Sequence, residues 1–252
     1  MSDSLSVAAR LLSDRRRSGQ PGPRLPPDCR PADADSALEI QEAVIARLGE
    51  RIGGWKCGLP GTEQPIAAPI HAGDCHADSP VPVRGNSVQV EPELAFVLAH
   101  DLPARSVPYR EAEVDAAVGS IHLALERVGS RYLPAEDTTF PERLADGLSN
   151  EGLVIGPAVG MTLARRAATF PLQVAWGGKP RLALDARHPA GLPQAPLYWL
   201  VEFLRSRGRT VRAGQPVITG SYAGVVTLPV AETLTLRFGE LGVLTVRFES
   251  AQ

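Results

Sequence analysis

The acidic pair Glu91 and Glu93 has the residue type and spacing of metal ligands. It flanks Pro92 inside the apolar run 88–99, and a third carboxylate, Glu126, lies further along the chain. Successive side chains of a strand point to opposite faces, so the pair shares one face. Two close carboxylates in an apolar strand repel each other and lose hydration, and a bound cation relieves both costs. Oxygen-only ligands suit Mg²⁺ or Mn²⁺ better than zinc.

A second interpretation of the pair needs no metal. Glu91 and Glu93 would then be solvated at the frayed start of a strand, with Pro92 marking the edge of a sheet. The rest of the run favours a buried strand, because both of its faces are apolar beyond the acidic pair.

The segments before the acidic strand are predicted to be helical and then irregular. Residues 4–17 have the pattern of a short amphipathic helix, and residues 18–35 are rich in Pro, Gly and Asp and read as a loop. Ser36 is the expected N-cap of a second helix with apolar residues at helical spacing. Residues 53–58 form a short strand or turn, and 60–85, with little periodicity, form a long loop or lid.

The segments after the acidic strand are predicted to be mostly β. Residues 109–119 look like the start of a helix that leads into a buried strand at 121–126. Strand-like runs occur within 153–184, and 196–207 form a helix with one apolar face. The end, 233–248, alternates polar and apolar residues about a glycine-bounded turn, which is typical of a hairpin.

Composition limits the classes of protein. The 252 residues are 44% hydrophobic and carry a formal net charge of −2, which gives no basic field for nucleic acid. No apolar run approaches the roughly 18 residues that cross a bilayer, and we expect no membrane partner. Three cysteines without a C-x-x-C pair favour a reducing cytoplasm, and Cys57 is more readily a small buried residue than a nucleophile. We expect a helical cap region over residues 1–52 and a β-rich catalytic domain over 53–252.

Six motifs occur in the order that they have in one known family. They are GGWKCGL (53–59), EPELAFVL (91–98), LERVGSRY (125–132), SNEGLVIG (149–156), HPA (188–190) and ITGSYAG (218–224). With them the chain resembles the 2-oxopent-4-enoate hydratase and 4-oxalocrotonate decarboxylase family, within the fumarylacetoacetate hydrolase-like superfamily. The resemblance implies an α+β fold, a mixed β-roll with an N-terminal helical region, and a homo-oligomer, a dimer or larger.

The resemblance also implies a set of site residues. The metal ligands of the family, for Mg²⁺ or Mn²⁺, carry over to Glu91, Glu93 and Glu126. Lys56 matches a lysine beside the substrate that steers its carboxylate or moves a proton, although the residues alone also allow a surface lysine. Ser221 matches a pocket-lining serine, and Arg131 matches the arginine of a D-S-R sequence.

Two aspartates of the family are missing. The aspartate of D-S-R is Gly129 here, and a second one is replaced within residues 68–73, with Asp74 or His71 as candidate substitutes. The water-activating His–Glu loop of the superfamily's hydrolases is also absent, which disfavours C–C hydrolysis. The substitutions leave open whether catalysis is retained.

The expected activity is that of a divalent-metal lyase acting on a small 2-oxo or 2-hydroxydienoic acid. Such a site leaves metal positions open for a bidentate substrate, and the metal stabilises charge on the C2 oxygen as an enolate forms. Hydration of a 2-hydroxy-2,4-dienoate is the first hypothesis. The alternatives are decarboxylation of a 2-oxo-enedioate, a catalytically silent partner subunit, and a related superfamily activity such as tautomerisation.

Overall fold

The strand with the acidic pair lies in the middle of the larger of two sheets. The computed structural model of the protein describes residues 2–59 and 66–251. Within those ranges the α-helices are α1 Asp3–Ser18, α2 Ala34–Leu48, α3 Glu111–Ala117, α4 Phe140–Ala145, α5 Met161–Ala164 and α6 Ala195–Ser206. The strands are β1 Ile52–Gly58, β2 Ile66–His71, β3 Cys75–His76, β4 Val81–Val83, β5 Ser87–Leu98, β6 Val118–Val128, β7 Asn150–Val159, β8 Thr169–Trp176, β9 Lys179–Arg187, β10 Pro216–Ile218, β11 Val226–Pro229, β12 Thr233–Phe238 and β13 Gly242–Ser250.

The two sheets enclose the main core. In the part of the chain that the structure describes, the larger sheet has eight strands in the order β2-β1-β10-β5-β6-β7-β3, with β11 also paired to β5. The smaller sheet has five, in the order β4-β13-β12-β8-β9. Alternate residues of the strands bury apolar side chains between the sheets, among them Phe96, Leu123, Leu236 and Phe248. None of the described helices is long and apolar enough to span a membrane.

Pro92 lies beside a gap in the sheet and not at its edge. β10 pairs with residues 95–97 of β5 and β11 with residues 87–90, which leaves residues 91–94 with a partner strand, β6, on one side only. The connection from β10 to β11 crosses this gap, and the backbone N–H of Tyr222 donates to the carbonyl of Pro92 at 3.0 Å. Proline is tolerated at such a break, because no partner strand needs its missing N–H.

The N-terminal helices have an apolar core of their own. Leu12 of α1 and Ile40 of α2 pack with Leu144 of α4 and with Tyr132, all of them buried. Leu144 and Tyr132 come from the β-rich part of the chain, so the helices are attached to it through a shared core. The boundary at residue 52 stays a prediction.

The second helix begins earlier than predicted. Its N-cap is Asp33, whose Oδ1 accepts the backbone N–H of Ser36 at 2.9 Å, and the Ser36 hydroxyl accepts the N–H of Asp33 at 3.2 Å. Ser36 therefore completes a capping box from the third helical position and is not the cap itself. The short helix Pro27–Cys29 interrupts the predicted loop 18–35.

The prediction of a long loop or lid at 60–85 is wrong for the described part of that segment. Residues 66–71 form β2, which pairs antiparallel with β1 and is almost entirely buried, and β3 and β4 follow. The sequence pattern does not predict β2, because Ala and Pro are weak strand formers and because burial on both faces removes the alternation. Residues 60–65 lie outside the described residues.

The other predicted elements are found close to their expected positions. The helix expected at 109–119 is the shorter α3, Glu111–Ala117. The last two residues of the predicted range, 118 and 119, belong to β6. The N-terminal helix, the strand at 121–126, the strand-like runs within 153–184, the helix at 196–207 and the final hairpin are confirmed.

Candidate metal centre

Three carboxylates meet on one face of the larger sheet. Glu91 and Glu93 are two residues apart on β5, and Glu126 on β6 lies directly opposite Glu91 in the antiparallel register. One oxygen from each carboxylate lies within 4.8 Å of the other two. Glu93 is 2% exposed and Glu126 is 0% exposed, which contradicts a solvated strand start. The structure therefore brings the three predicted ligands together.

The electrostatics of the cluster favour a bound cation. Burial and the neighbouring Glu126 raise the pKa of Glu93 well above its usual value. Burial and Glu126 also raise the pKa of Glu91. Both shifts mean that the ionised forms are disfavoured in this place, which is the cost that a divalent cation offsets.

Glu126 is held by one oxygen and leaves the other without a partner. Its Oε1 accepts hydrogen bonds from Lys56 Nζ at 2.6 Å and from Asn150 Nδ2 at 2.9 Å. Its Oε2 is buried and has no hydrogen-bond partner among the described residues. A buried carboxylate oxygen without a donor is costly unless a ligand satisfies it. The three carboxylates of the cluster offer the hard, all-oxygen donors that Mg²⁺ prefers, so the residues present fit this metal.

Lys56 is a fixed cation next to the cluster. Burial lowers the pKa of Lys56, but the charges of Glu126 and Glu91 outweigh it, and the net pKa is raised. The charges of the cluster therefore keep Lys56 protonated, and a role for it in moving a proton stays a prediction. An ammonium group has three protons, and two of them go to Glu126 Oε1 and to the carbonyl of Leu148, 3.1 Å away. The third has no acceptor among the described residues.

A turn of unusual backbone conformation places Leu148 and Asn150. Gly147, Leu148 and Ser149 have φ angles of 72°, 54° and 61°, in the left-handed region that side chains other than glycine rarely adopt. Strained turns of this kind are found where the surrounding structure must aim particular groups. Here the turn aims the Leu148 carbonyl at Lys56, and Asn150 follows it as the first residue of β7. No signal in the sequence marked Asn150 beyond its place in the SNEGLVIG motif.

The connection between β10 and β11 supplies a further donor. The backbone N–H of Gly220 donates to Glu93 Oε2 at 2.6 Å. Gly220 has a φ of 131°, and a Cβ there would lie 2.9 Å from the ring of Pro189, so only glycine fits. Ser221 is half-buried beside it, and its hydroxyl donates to the Gly224 carbonyl at 2.9 Å. Ser221 thus stabilises the turn that carries Gly220.

Arg131 is not brought to the carboxylate cluster. It is 4% exposed, its Nε donates to Asp146 Oδ1 at 2.5 Å, and its Nη1 lies 3.8 Å from Glu151. Asp74 pairs with arginines, at 3.6 Å from Arg16, and not with the glutamates. A catalytic role for Arg131 stays a prediction, and the contacts of the structure are those of a buried ion pair.

Cys57 has the properties of an inert thiol. It is buried, its Sγ contacts the carbonyls of Pro196 and Ile218, and burial raises its pKa well above the usual value. The three cysteines are free.

Solved structures share this fold over most or nearly all of the chain. The 4-oxalocrotonate decarboxylase from Pseudomonas putida G7, complexed with magnesium and adipate, matches with a TM-score of 0.80 at 18% sequence identity, over 98% of both chains. A fumarylacetoacetate hydrolase family protein from yeast matches with a TM-score of 0.51 at 17% identity, over 78% of this chain and 92% of that one. The fold is that of the fumarylacetoacetate hydrolase class, and the predicted mixed β-roll with an N-terminal helical region is confirmed.

Curated relatives of the chain are named 2-keto-4-pentenoate hydratase. The 2-keto-4-pentenoate hydratase of Paraburkholderia phymatum is 29% identical over an alignment of 263 residues including gaps, which covers 96% of each chain. That of Paraburkholderia xenovorans is 26% identical over 270 residues, 97% of this chain and 95% of the relative. No family model matches the sequence. The resemblance to the hydratase and decarboxylase family, which the six motifs predicted, is confirmed over nearly the whole chain.

Proposed function

We propose that this chain is a divalent-metal-dependent hydratase that adds water to a short 2-hydroxy-2,4-dienoate. The observation that carries the proposal is the buried cluster of Glu91, Glu93 and Glu126 with the ammonium of Lys56 against it. Full-length similarity to proteins named 2-keto-4-pentenoate hydratase supports this substrate class. Similarity to the decarboxylase is at 18% identity and supports the fold alone.

The residues of the cluster have distinct tasks in this proposal. Glu91, Glu93 and Glu126 would hold Mg²⁺ or Mn²⁺, which supplies electrostatic stabilisation for the negative charge that develops on the C2 oxygen of the substrate. Gly220 fixes one oxygen of Glu93, and Asn150 fixes one oxygen of Glu126. These contacts hold the carboxylates in place before substrate arrives, so little reorganisation is needed during the reaction.

Lys56 would orient the substrate. Its raised pKa keeps it charged at neutral pH, and its remaining proton can bond the carboxylate of a 2-oxo acid. Protonation of the dienol at C5, with loss of its hydroxyl proton, gives an α,β-unsaturated ketone, and water then adds its oxygen to C4, the carbon β to the carbonyl, and a proton to C3. In this reaction Lys56 binds and positions the substrate, and another group donates the proton that is added to carbon.

Four further properties are proposed with the function. We place the catalytic residues in a domain over 53–252, with residues 1–52 as a helical cap region. We propose a homo-oligomer, as the resemblance implies, and a cytoplasmic location, because the three cysteines are free. The substrate partner is a small organic acid.

The test is turnover of 2-hydroxypenta-2,4-dienoate, followed by ultraviolet absorbance with Mg²⁺, with Mn²⁺ and with EDTA. We expect metal-dependent loss of the diene absorbance above spontaneous ketonisation, with the hydrated product identified. The variant Glu91→Gln should lose this turnover and keep its fold, while Glu136→Gln at an exposed site should behave as wild type. Unchanged turnover by Glu91→Gln would refute the proposal. Release of CO₂ from a 2-oxo-enedioate, with no hydration, would establish the decarboxylase instead, and metal binding without either reaction would indicate a silent subunit.

A further inference from the structure

Five arginines surround a cavity at the end of β6. The cavity has a volume of about 410 Å³. Its lining includes Arg15, Arg16, Arg84, Arg127 and Arg131. None of the three clustered glutamates is among the lining residues. Glu126 and Arg127 are consecutive in β6, so their side chains leave the strand on opposite faces and the cavity is separate from the metal centre.

The arginines exceed the carboxylates available to them. Asp74 lies 3.6 Å from Arg16 and 3.9 Å from Arg127, and Glu151 lies 3.8 Å from Arg131. Asp146, outside the lining, is bound to Arg131 as well. Five guanidinium groups thus face three carboxylates.

Two of the five arginines have no carboxylate within ion-pair distance in the described chain. Arg15 donates to the carbonyl of Arg131 at 3.1 Å, and Arg84 donates to the carbonyl of Arg17 at 3.5 Å. Arg127 is 7% exposed, and its Nε has no hydrogen-bond partner among the described residues. A buried guanidinium N–H such as that of Arg127 is rarely left without an acceptor in a protein interior, whereas Arg84 is exposed.

Burial is the main cause of the lowered pKa values of the side chains in this cavity. Burial and the charge of Arg131 lower the pKa of Arg16 to about 10. Burial also lowers the pKa of Arg15. Burial lowers the pKa of His76 in the same cavity, so this side chain adds no charge at neutral pH.

We propose that this cavity is a binding site for a compact oxyanion with two negative charges, such as inorganic phosphate. A guanidinium group can donate two parallel hydrogen bonds to two oxygens of one phosphate. The two charges of a dianion also balance the charges of the two arginines that lack carboxylate partners. Arg16 is held in the cavity by a hydrogen bond from its Nη2 to the backbone carbonyl of Asn150 at 3.0 Å. The proposal does not depend on the hydratase function.

Calorimetric titration of the full chain with phosphate, at constant ionic strength in chloride, tests the site. We expect saturable binding of about one phosphate per chain, with the same affinity in Mg²⁺ and in EDTA. Arg84→Gln should weaken binding about tenfold, the order expected for one charge-assisted hydrogen bond. Arg181→Gln removes the same charge outside the cavity lining and should bind as wild type.

A second variant should change the phosphate affinity in the opposite direction. Glu151→Gln removes a carboxylate from the cavity and should tighten phosphate binding, with circular dichroism as the check of folding. Equal affinity of wild type, Arg84→Gln and Glu151→Gln would overturn the proposal. Binding that disappears in EDTA would overturn it as well, since phosphate would then bind at the metal centre.

Discussion

Replacing Asn150 by alanine should weaken metal binding while leaving the three metal ligands in place. Asn150 Nδ2 donates to Glu126 Oε1 at 2.9 Å and keeps the other oxygen, Oε2, free for the metal. Without this donor the carboxylate can turn and share both oxygens with Lys56. Metal binding must then restore the original orientation, and affinity falls.

The size of the effect follows from the hydrogen bond. A hydrogen bond to a charged group contributes about 1.5–3 kcal/mol, which corresponds to about 10- to 100-fold in Kd. Lys56 still holds the same oxygen at 2.6 Å, so we expect the lower end, about tenfold. Asn150 Oδ1 is already buried without a partner, and truncation removes this unsatisfied group together with the bond. The free energy of unfolding without metal should therefore fall by only about 1 kcal/mol.

The assay combines calorimetric titration with Mg²⁺ and urea unfolding in EDTA. Asn86→Ala is the matched control, since Asn86 is exposed and should change neither quantity. Asn150→Ala with wild-type Mg²⁺ affinity would refute the reasoning. A large loss of stability in EDTA would also contradict it, because Asn150 would then act on the fold and not on the metal ligand.

Three further changes test other parts of the structure. Lys56→Met should abolish turnover without weakening Mg²⁺ binding, because it removes a cation that competes with the metal; weaker binding would contradict this. Arg131→Met should destabilise the fold by about 3–5 kcal/mol, since it leaves Asp146 buried without its partner; urea unfolding measures this, and a loss of activity at unchanged stability would instead favour the predicted catalytic role. Burial lowers the pKa of His188 to about 4. The unfolded chain binds this proton first, so stability is complete above about pH 6.5 and falls by up to about 3 kcal/mol as the pH drops to 4. His188→Asn should remove that part of the acid sensitivity in urea unfolding at pH 7 and pH 4.5, and an unchanged slope would contradict the assignment.

Local pattern was enough to predict some of the ligands and not others. Glu91 and Glu93 share a face because they are two residues apart in one strand, which sequence shows directly. The pairing of Glu126 with Glu91 depends on the register of β5 and β6, and only the family resemblance indicated it. Asn150 reaches the site through a left-handed turn formed by residues other than glycine at two of its three positions, and no turn rule predicts that conformation.

The segments that were predicted wrongly share a physical cause. Periodicity reports a difference between two faces, and β2 has none because it is covered on both sides. Pro92 was ambiguous for a related reason. Proline argues against a central strand, yet β5 is central, and the interruption between β10 and β11 makes room for it. The same interruption lets the backbone N–H of Gly220 reach Glu93. Pro92, which weakens the strand pattern, therefore lies next to the metal centre.

The missing family aspartate at Gly129 concerns the arginine cavity more than the metal ligands. A Cβ at Gly129 would lie 2.3 Å from Cδ of Glu151, so the carboxylate of Glu151 fills the space that a side chain at 129 would need. Glu151 follows Asn150 at an irregularity in the pairing of β6 with β7, and its carboxylate lies 3.8 Å from Arg131 and is not part of the three-glutamate cluster. Both Gly129 and Glu151 line the arginine cavity. The substitution at Gly129, one of the two that motivate the silent-subunit hypothesis, therefore lies at that cavity and leaves the three-glutamate cluster complete.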